Sequence, residues 1–335
     1  MTATARRRAR GPQLTFFVEL SGPALAALFS DGRVGEFLVR GGFGLAMGLV
    51  DLAPERAWIV RDLEARGVPV TAWLLLDEAE GYWLNADNAA AAHVRWRETR
   101  DFAAREGLRF HRVGLDVETP RAEFEGALRR GVRGFFDLLL TRRRAEQVAR
   151  AEAAFAALVE EIHGSGRSVE TYQVPLLLDE RRAGSTLVRR TLGLVDVKAD
   201  LDVPMLYSSY LGRNLAVSYM AEAGAIALGV TGGGVAAAED AARGRTLGWP
   251  ELARELRWAA VHADELYVFS LEGCVEQGML EPLLAFDWSR AAPPEPSLGR
   301  ARALRRGLAG ALRAEAWIDR LLPERPRAAT ARPSR

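Results

Sequence analysis

Eight short runs of β-branched, aromatic and aliphatic residues recur along this chain, most of them separated by stretches with helical spacing. The runs are Thr15–Leu20, Gly44–Val50, Val68–Leu76, Phe110–Val117, Val169–Val174, Val203–Ser208, Ala225–Val230 and Glu265–Leu271. Several are almost continuously apolar, as a strand covered on both faces has to be. Between them, Pro54–Arg66 places Trp58, Ile59 and Leu63 on one face and runs into Gly67, a helix stop. Asp87–Glu106, Arg144–His163, Arg213–Ala223 and Trp249–Ala263 read as further helices. Strand and helix in this alternation predict parallel strands joined by crossover helices, and eight units predict one (β/α)8 TIM barrel over residues 14–322. An open doubly wound sheet would carry GxGxxG after its first strand, and the segment LSGPALAAL does not supply it.

The stretch from Val117 to Val169 exceeds a simple crossover, so an extra helical segment around Ala122–Leu140 is expected to wall one side of the barrel mouth. Ser297–Leu322 reads as a terminal helix on the outside. Residues 1–13, with Arg6, Arg7, Arg8 and Arg10, read as a disordered basic arm, and residues 323–335 as a disordered Arg/Pro/Ala tail. The arm and the run after it superficially resemble a signal peptide, but Glu19 interrupts the apolar segment and Pro23 follows, so cytoplasm is the expected compartment. The longest charge-free run, Ala223–Ala238, is broken by glycines and is shorter than the ~20 apolar residues of a membrane-spanning helix, so no membrane partner is expected.

Charge and composition remove several classes of chemistry. Lys and Arg total 45 against 44 Asp and Glu, a net charge of +1, so the whole chain is no electrostatic trap for nucleic acid. Cys274 is the single cysteine, which excludes an internal disulfide and a cysteine-built zinc site. His93, His111, His163 and His262 show no HxH or HExxH spacing. A Ser–His triad, a Schiff-base lysine and a thiol nucleophile all lack partners near strand ends. No metal or other cofactor is expected.

In a barrel of this kind function belongs at the C-terminal ends of the strands. There the sequence concentrates carboxylates: Glu19 after the first run, Asp77, Glu78 and Glu80 after the third, Asp116 and Glu118 after the fourth, and Glu272 after the eighth. Trp73, Tyr82, Trp83, Tyr172 and Tyr207 are interleaved with them, together with the amides of Asn85 and Gln173. Glycosidic bond cleavage needs a protonated carboxyl and usually a second, ionised one, while aromatic faces cover sugar rings and amides orient hydroxyls. Strand alternation puts Asp116 and Glu118 on one face, where Asp116 can hold the proton or tune Glu118. The plainer alternative makes Asp116 a structural acceptor and Glu118 a solvated loop residue. Trp73 and Asp77 share a strand face, and the following loop offers Glu80, Tyr82, Trp83 and Asn85 either to a sugar or to packing. Glu272 is either a site carboxylate, or an N-terminal cap of the next helix or a partner for one of the arginines. Gly229–Gly234 is either a phosphate cradle or a tight turn at the rim.

A fourth strand ending in Asp116-x-Glu118 and a sixth reading Met205-Leu206-Tyr207 resemble the chitinase-like glycoside hydrolases of family 18. Their fourth strand ends DxxDxDxE and their sixth carries Met-x-Tyr-Asp. The resemblance covers two short motifs. It implies Glu118 as general acid, Asp116 as its partner and Tyr207 as a stabiliser of the reacting sugar. His111 and Gly114 stand where the family has its two earlier aspartates, and Ser208 replaces the Asp after the tyrosine. A second protein carboxylate is therefore expected, Glu272 first and Glu19 second. Strands four and eight face each other across a barrel, so a Glu118/Glu272 pair would fit inversion. The expected protein is a glycosidase with a carbohydrate substrate. The alternatives are a divalent-metal sugar isomerase or epimerase, built on Glu118 and Glu272, and a non-catalytic sugar-binding barrel.

Overall fold

The computed structural model describes residues 11–130, 133, 138, 142–234 and 244–321. The basic arm through residue 10, the tail from residue 322 and most of 131–140 lie outside the described residues. Eight parallel strands form the sheet: β1 (Gln13–Val18), β2 (Gly44–Leu49), β3 (Val70–Leu74), β4 (Arg112–Val117), β5 (Ser168–Gln173), β6 (Leu201–Pro204), β7 (Ala225–Gly229) and β8 (Glu265–Phe269). Their order, β6-β5-β4-β3-β2-β1-β8-β7, leaves β6 and β7 to meet. They do so at a single bridge, Met205 with Ala227, where the Leu206 N–H donates to the Ala227 carbonyl at 2.9 Å. The chain is a (β/α)8 barrel.

β2, β3, β4, β7 and β8 fall inside their predicted runs, β1 and β5 begin slightly before theirs, and β6 both begins and ends early. Tyr207 caps the short helix Ser208–Leu211, so Tyr207 and Ser208 sit beyond the strand. Two helices follow β1 that the sequence reading did not place, Gly22–Phe29 and Arg33–Gly41. The second is bounded by Gly32 and Gly42 at φ 74° and 61°, a left-handed backbone that favours glycine. Of the expected insertion after β4, Arg121–Arg130 is helical. The terminal helix Gly299–Leu321 packs Leu312 against Leu177, Val188 and Leu194, and Arg305 donates to Asp179 at 2.7 Å.

Alternation along each strand divides the apolar residues between two cores. Phe16, Leu45, Met47, Leu74 and Val113 face the helices, whereas Phe17, Ala46, Trp73, Tyr172, Met205 and Tyr267 face the barrel axis. Gly114 belongs to the inner set, and a Cβ there would lie 2.5 Å from the Tyr172 hydroxyl. Where the chitinase-like pattern has an aspartate, this chain needs the space for a neighbouring ring.

Below the aromatic layer lies a polar floor. Arg112 Nη1 donates to Glu265 at 2.6 Å and to Glu170 at 3.2 Å, while the Tyr172 and Tyr267 hydroxyls donate to Glu170 at 2.6 and 2.7 Å. Near the opposite end, fully buried Arg56 donates to the carbonyls of Gly48 and Leu20, and Arg95 to those of Leu75 and Leu49. Charged donors thereby satisfy carbonyls where the ladders of β1, β2 and β3 run out.

Removing one member of a buried ion cluster leaves its partner uncompensated. Arg112→Met should lower the unfolding free energy by about 3–5 kcal/mol, measured by urea denaturation, because Glu170 would keep a buried charge without its guanidinium. A loss under 1 kcal/mol would show that the tyrosines alone satisfy Glu170.

Candidate active site

Above the aromatic layer, at the C-terminal ends of the strands, a cavity of about 200 Å³ opens. Phe17 forms part of its base and meets Trp73 and Tyr172 edge-on, at ring-centroid distances of 5.1 and 4.7 Å. Trp83, Phe124, Tyr207 and Phe269 supply further wall, and Glu19, Asp116 and Glu118 are the carboxyl groups that line it. Most of this lining follows from strand parity. Phe17 and Glu19 are two residues apart, as are Asp116 and Glu118, so each pair points to the same side.

The three carboxyls are not equivalent. Asp116, 2% exposed, accepts a hydrogen bond from Trp73 Nε1 at 3.1 Å. The other oxygen, Asp116 Oδ1, is buried without a hydrogen-bond partner, and Glu118 lines the same cavity two residues further along. Burial, then the charges of Glu118 and Glu19, pushes Asp116 well above the usual carboxylate range. Burial and the Glu19 charge push Glu118 up to about 8. Glu19 accepts from the Tyr82 hydroxyl at 2.5 Å. Tyr82 itself stands at φ 64°, a left-handed backbone that a non-glycine residue adopts at an energetic cost. At neutral pH the Asp116–Glu118 pair thus holds a proton beside Glu19.

Glu272 does not line this cavity. It lies in the first turn of the helix Leu271–Glu276, whose N-cap Ser270 accepts from the Gly273 N–H at 3.2 Å. There Glu272 accepts the main-chain N–H of Glu19 at 3.3 Å, and burial pushes it up to about 7. It is held against the Glu19 backbone and does not share the cavity with Glu118, so the expected Glu118/Glu272 pair is not brought together there. The glycine run also has a steric explanation. A Cβ at Gly233 would fall 2.3 Å from Glu272 Cγ, and one at Gly234 would fall 2.3 Å from Glu19 Oε2. The loop passes too close to these two carboxyls for side chains, and this favours the rim turn over a phosphate cradle.

Trp73, Trp83, Tyr172 and Tyr207 are on the wall, while Tyr82 reaches it through Glu19. Asp77 and Glu80 are exposed and lie outside this cavity. Asn85 is buried, but its side chain is used up inside its own loop, donating to the Trp83 carbonyl at 2.9 Å and accepting from the Asp87 N–H at 3.0 Å. Gln173 accepts from Arg181 at 3.1 Å on the outer side of β5, because Tyr172 takes the inward position. Phe17 and Phe269 were passed over, although alternation with Glu19 and Tyr267 places both inward. Phe124 sits on the insertion helix and had no sequence signal. Among the described residues, no three His, Cys, Asp or Glu side chains are grouped to hold a metal ion. Nor is any described helix long and apolar enough to cross a membrane.

No family model and no characterised protein sequence matches the chain. The chitinase-like resemblance therefore gains no family match. Solved structures similar to it include an L-ribulose 3-epimerase at 15% identity, covering 95% of this chain and 100% of that one with a TM-score of 0.44. Saccharomyces cerevisiae Gas2p with laminaritetraose and laminaripentaose is 12% identical, covering 85% of this chain and 64% of that one with a TM-score of 0.43. An AP endonuclease of family 2 from Brucella melitensis is 11% identical, covering 79% and 97% with a TM-score of 0.42. The barrel assignment stands on this chain's own strand pairing, and no site residue is transferred from these structures.

A proton held up to about pH 8 has a thermodynamic consequence. Between the ordinary carboxyl value of 4.5 and about 8, the folded protein keeps a proton on Glu118 that the unfolded chain releases. Over that window stability therefore falls as pH rises. Glu118→Gln removes this penalty, so its melting temperature should exceed that of the unmodified protein by more at pH 8 than at pH 5. A pH-independent difference would mean that Glu118 titrates normally.

Proposed function

We propose that the protein hydrolyses a glycosidic bond, with Glu118 as general acid, Asp116 as its buried neighbour and Glu19 as the second carboxylate whose charge helps to keep Glu118 protonated. The observation that carries this reading is the group of three carboxyls, Glu19, Asp116 and Glu118, on one aromatic-walled cavity, with burial holding Asp116 and Glu118 above the usual carboxylate range. A carboxyl that stays protonated near neutrality can deliver its proton to a leaving oxygen. The C–O bond breaks toward that oxygen, which takes the proton of Glu118. Water supplies the new hydroxyl at the anomeric carbon, and its remaining proton returns to the carboxylates. Glu19 acts either as base toward the water or as nucleophile in a first displacement. Tyr207 stands at the cavity wall to support the developing positive charge, and the ring faces cover the sugar.

Glu118→Gln should lower kcat by ~10²–10⁴-fold on any glycoside the protein cleaves, with the fold intact by circular dichroism. Near-normal turnover by the folded variant would overturn this assignment. Release of reducing ends unaffected by EDTA supports hydrolysis. Turnover that yields an isomer and needs an added divalent metal would instead favour a sugar isomerase.

Trp83 lines the cavity and packs edge-on against Tyr82 and Phe124, at centroid distances of 5.9 and 6.2 Å. Trp83→Ala should weaken substrate binding by about 1–3 kcal/mol while moving the melting temperature little, because half-buried Trp83 is a recognition surface more than a core residue. A large melting shift with unchanged KM would assign it to packing.

A further inference from the structure

Glu19 belongs to two spaces. On one side is the aromatic cavity of about 200 Å³; on the other is a cleft of about 340 Å³ over the ends of the first three strands, lined by Ser21, Asp77, Glu78 and Tyr82. Tyr82, hydrogen-bonded to Glu19 at 2.5 Å, lines the cleft but not the cavity, while its neighbour Trp83 lines the cavity but not the cleft. The left-handed backbone at Tyr82, φ 64°, is the local distortion at the point where the chain puts one ring on each side. The cavity is smaller than the ~300–1,000 Å³ of pockets that take drug-sized ligands. Its floor is closed by Phe17, Trp73 and Tyr172 over the ion cluster of the barrel interior.

We infer that the protein acts at chain ends, taking one terminal sugar unit into the aromatic cavity and leaving the rest of the chain in the carboxylate-lined cleft. The bond broken lies at the Glu19–Tyr82 partition. This inference rests on the glycosidase reading and deepens it. A blind cavity with room for one ring cannot accept the middle of a chain, whereas the cleft contributes exposed Asp77 and Glu78, acceptors suited to hydroxyl-bearing units. The bond chemistry is unchanged. The leaving chain departs with the proton of Glu118 on its oxygen, and the released monosaccharide carries the hydroxyl from water. Tyr82 is here a positioning residue that holds Glu19 and divides the two spaces.

The test is the identity of the first products from linear tetrasaccharides of β-1,3-glucose, β-1,4-glucose, β-1,4-mannose and β-1,4-N-acetylglucosamine, followed by chromatography at low conversion. Monosaccharide and trisaccharide in equal amounts are expected from whichever is cleaved. Disaccharide as the main first product would overturn the end-unit inference and leave the role of Glu118 standing. No cleavage of any member, nor of matching 4-nitrophenyl monoglycosides, would overturn both. Tyr82→Gly deletes the ring at a position whose backbone suits glycine, so it should fold and should raise the disaccharide share at least fivefold. Tyr82→Phe keeps the ring and should retain the monosaccharide-first pattern with a lower kcat. An unchanged pattern in folded Tyr82→Gly would remove the partition.

Discussion

Every side chain that faces the barrel axis has to fit a fixed volume, and this filling requirement decides where the chemistry can stand. Large rings enter from β1, β3, β5 and β8 as Phe17, Trp73, Tyr172 and Tyr267, so β2 and β7 present Gly44, Ala46, Gly48, Ala225 and Ala227. At Gly48 a Cβ would already lie 3.1 Å from the Trp73 ring and 3.0 Å from Leu75. Rings packed this closely make the layer below the mouth apolar. Glu19, Asp116 and Glu118 therefore stand on an apolar plug, and an apolar surrounding strengthens the repulsion between neighbouring charges. The plug holds two of these carboxyls, Asp116 and Glu118, above the usual carboxylate range.

Such a group would relax if its strands could spread. The buried arginines oppose that. Arg56 joins the end of β2 to the chain just beyond β1, and Arg95 joins the last residue of β2 to the chain just beyond β3. Each guanidinium holds two carbonyls from neighbouring segments with charge-assisted hydrogen bonds, which are about twice as strong as neutral ones. Of the 45 basic residues only Lys198 is a lysine, so arginine supplies nearly all of the positive charge. In the structure, part of it bolts the rim that carries Glu19 and Trp73.

The barrel was legible because each strand announces itself by short-range pattern, and helices with Gly stops lie between. The site was only partly legible, for reasons of parity and of the third dimension. Asp116 and Glu118 share a face by simple alternation, and they are found together. The same rule separates Tyr172 from Gln173, yet both had been expected at the site. It also places Phe17 beside Glu19, which went unused. Glu272 failed differently. Nearness to a strand end does not say whether a side chain enters the mouth or turns back against its neighbour's backbone. That choice is made by the capped helix turn at Ser270 and by the glycines of a distant loop. Phe124 had no local signal, because only the docking of the insertion helix brings it to the cavity.

The seam between β6 and β7 gives the barrel an uneven stiffness around its circumference. Elsewhere, parting two strands means breaking a run of ladder hydrogen bonds, but here the wall is closed by the bridge at Met205 and Ala227. Met205, Tyr207 and Leu211 line the cavity from this side, while Glu19, Asp116 and Glu118 are carried by the fully laddered arc opposite. The molecule is thus built like a vice with one sliding jaw. The three carboxyls sit on the fixed jaw, so that any yielding at the seam falls on the wall opposite them.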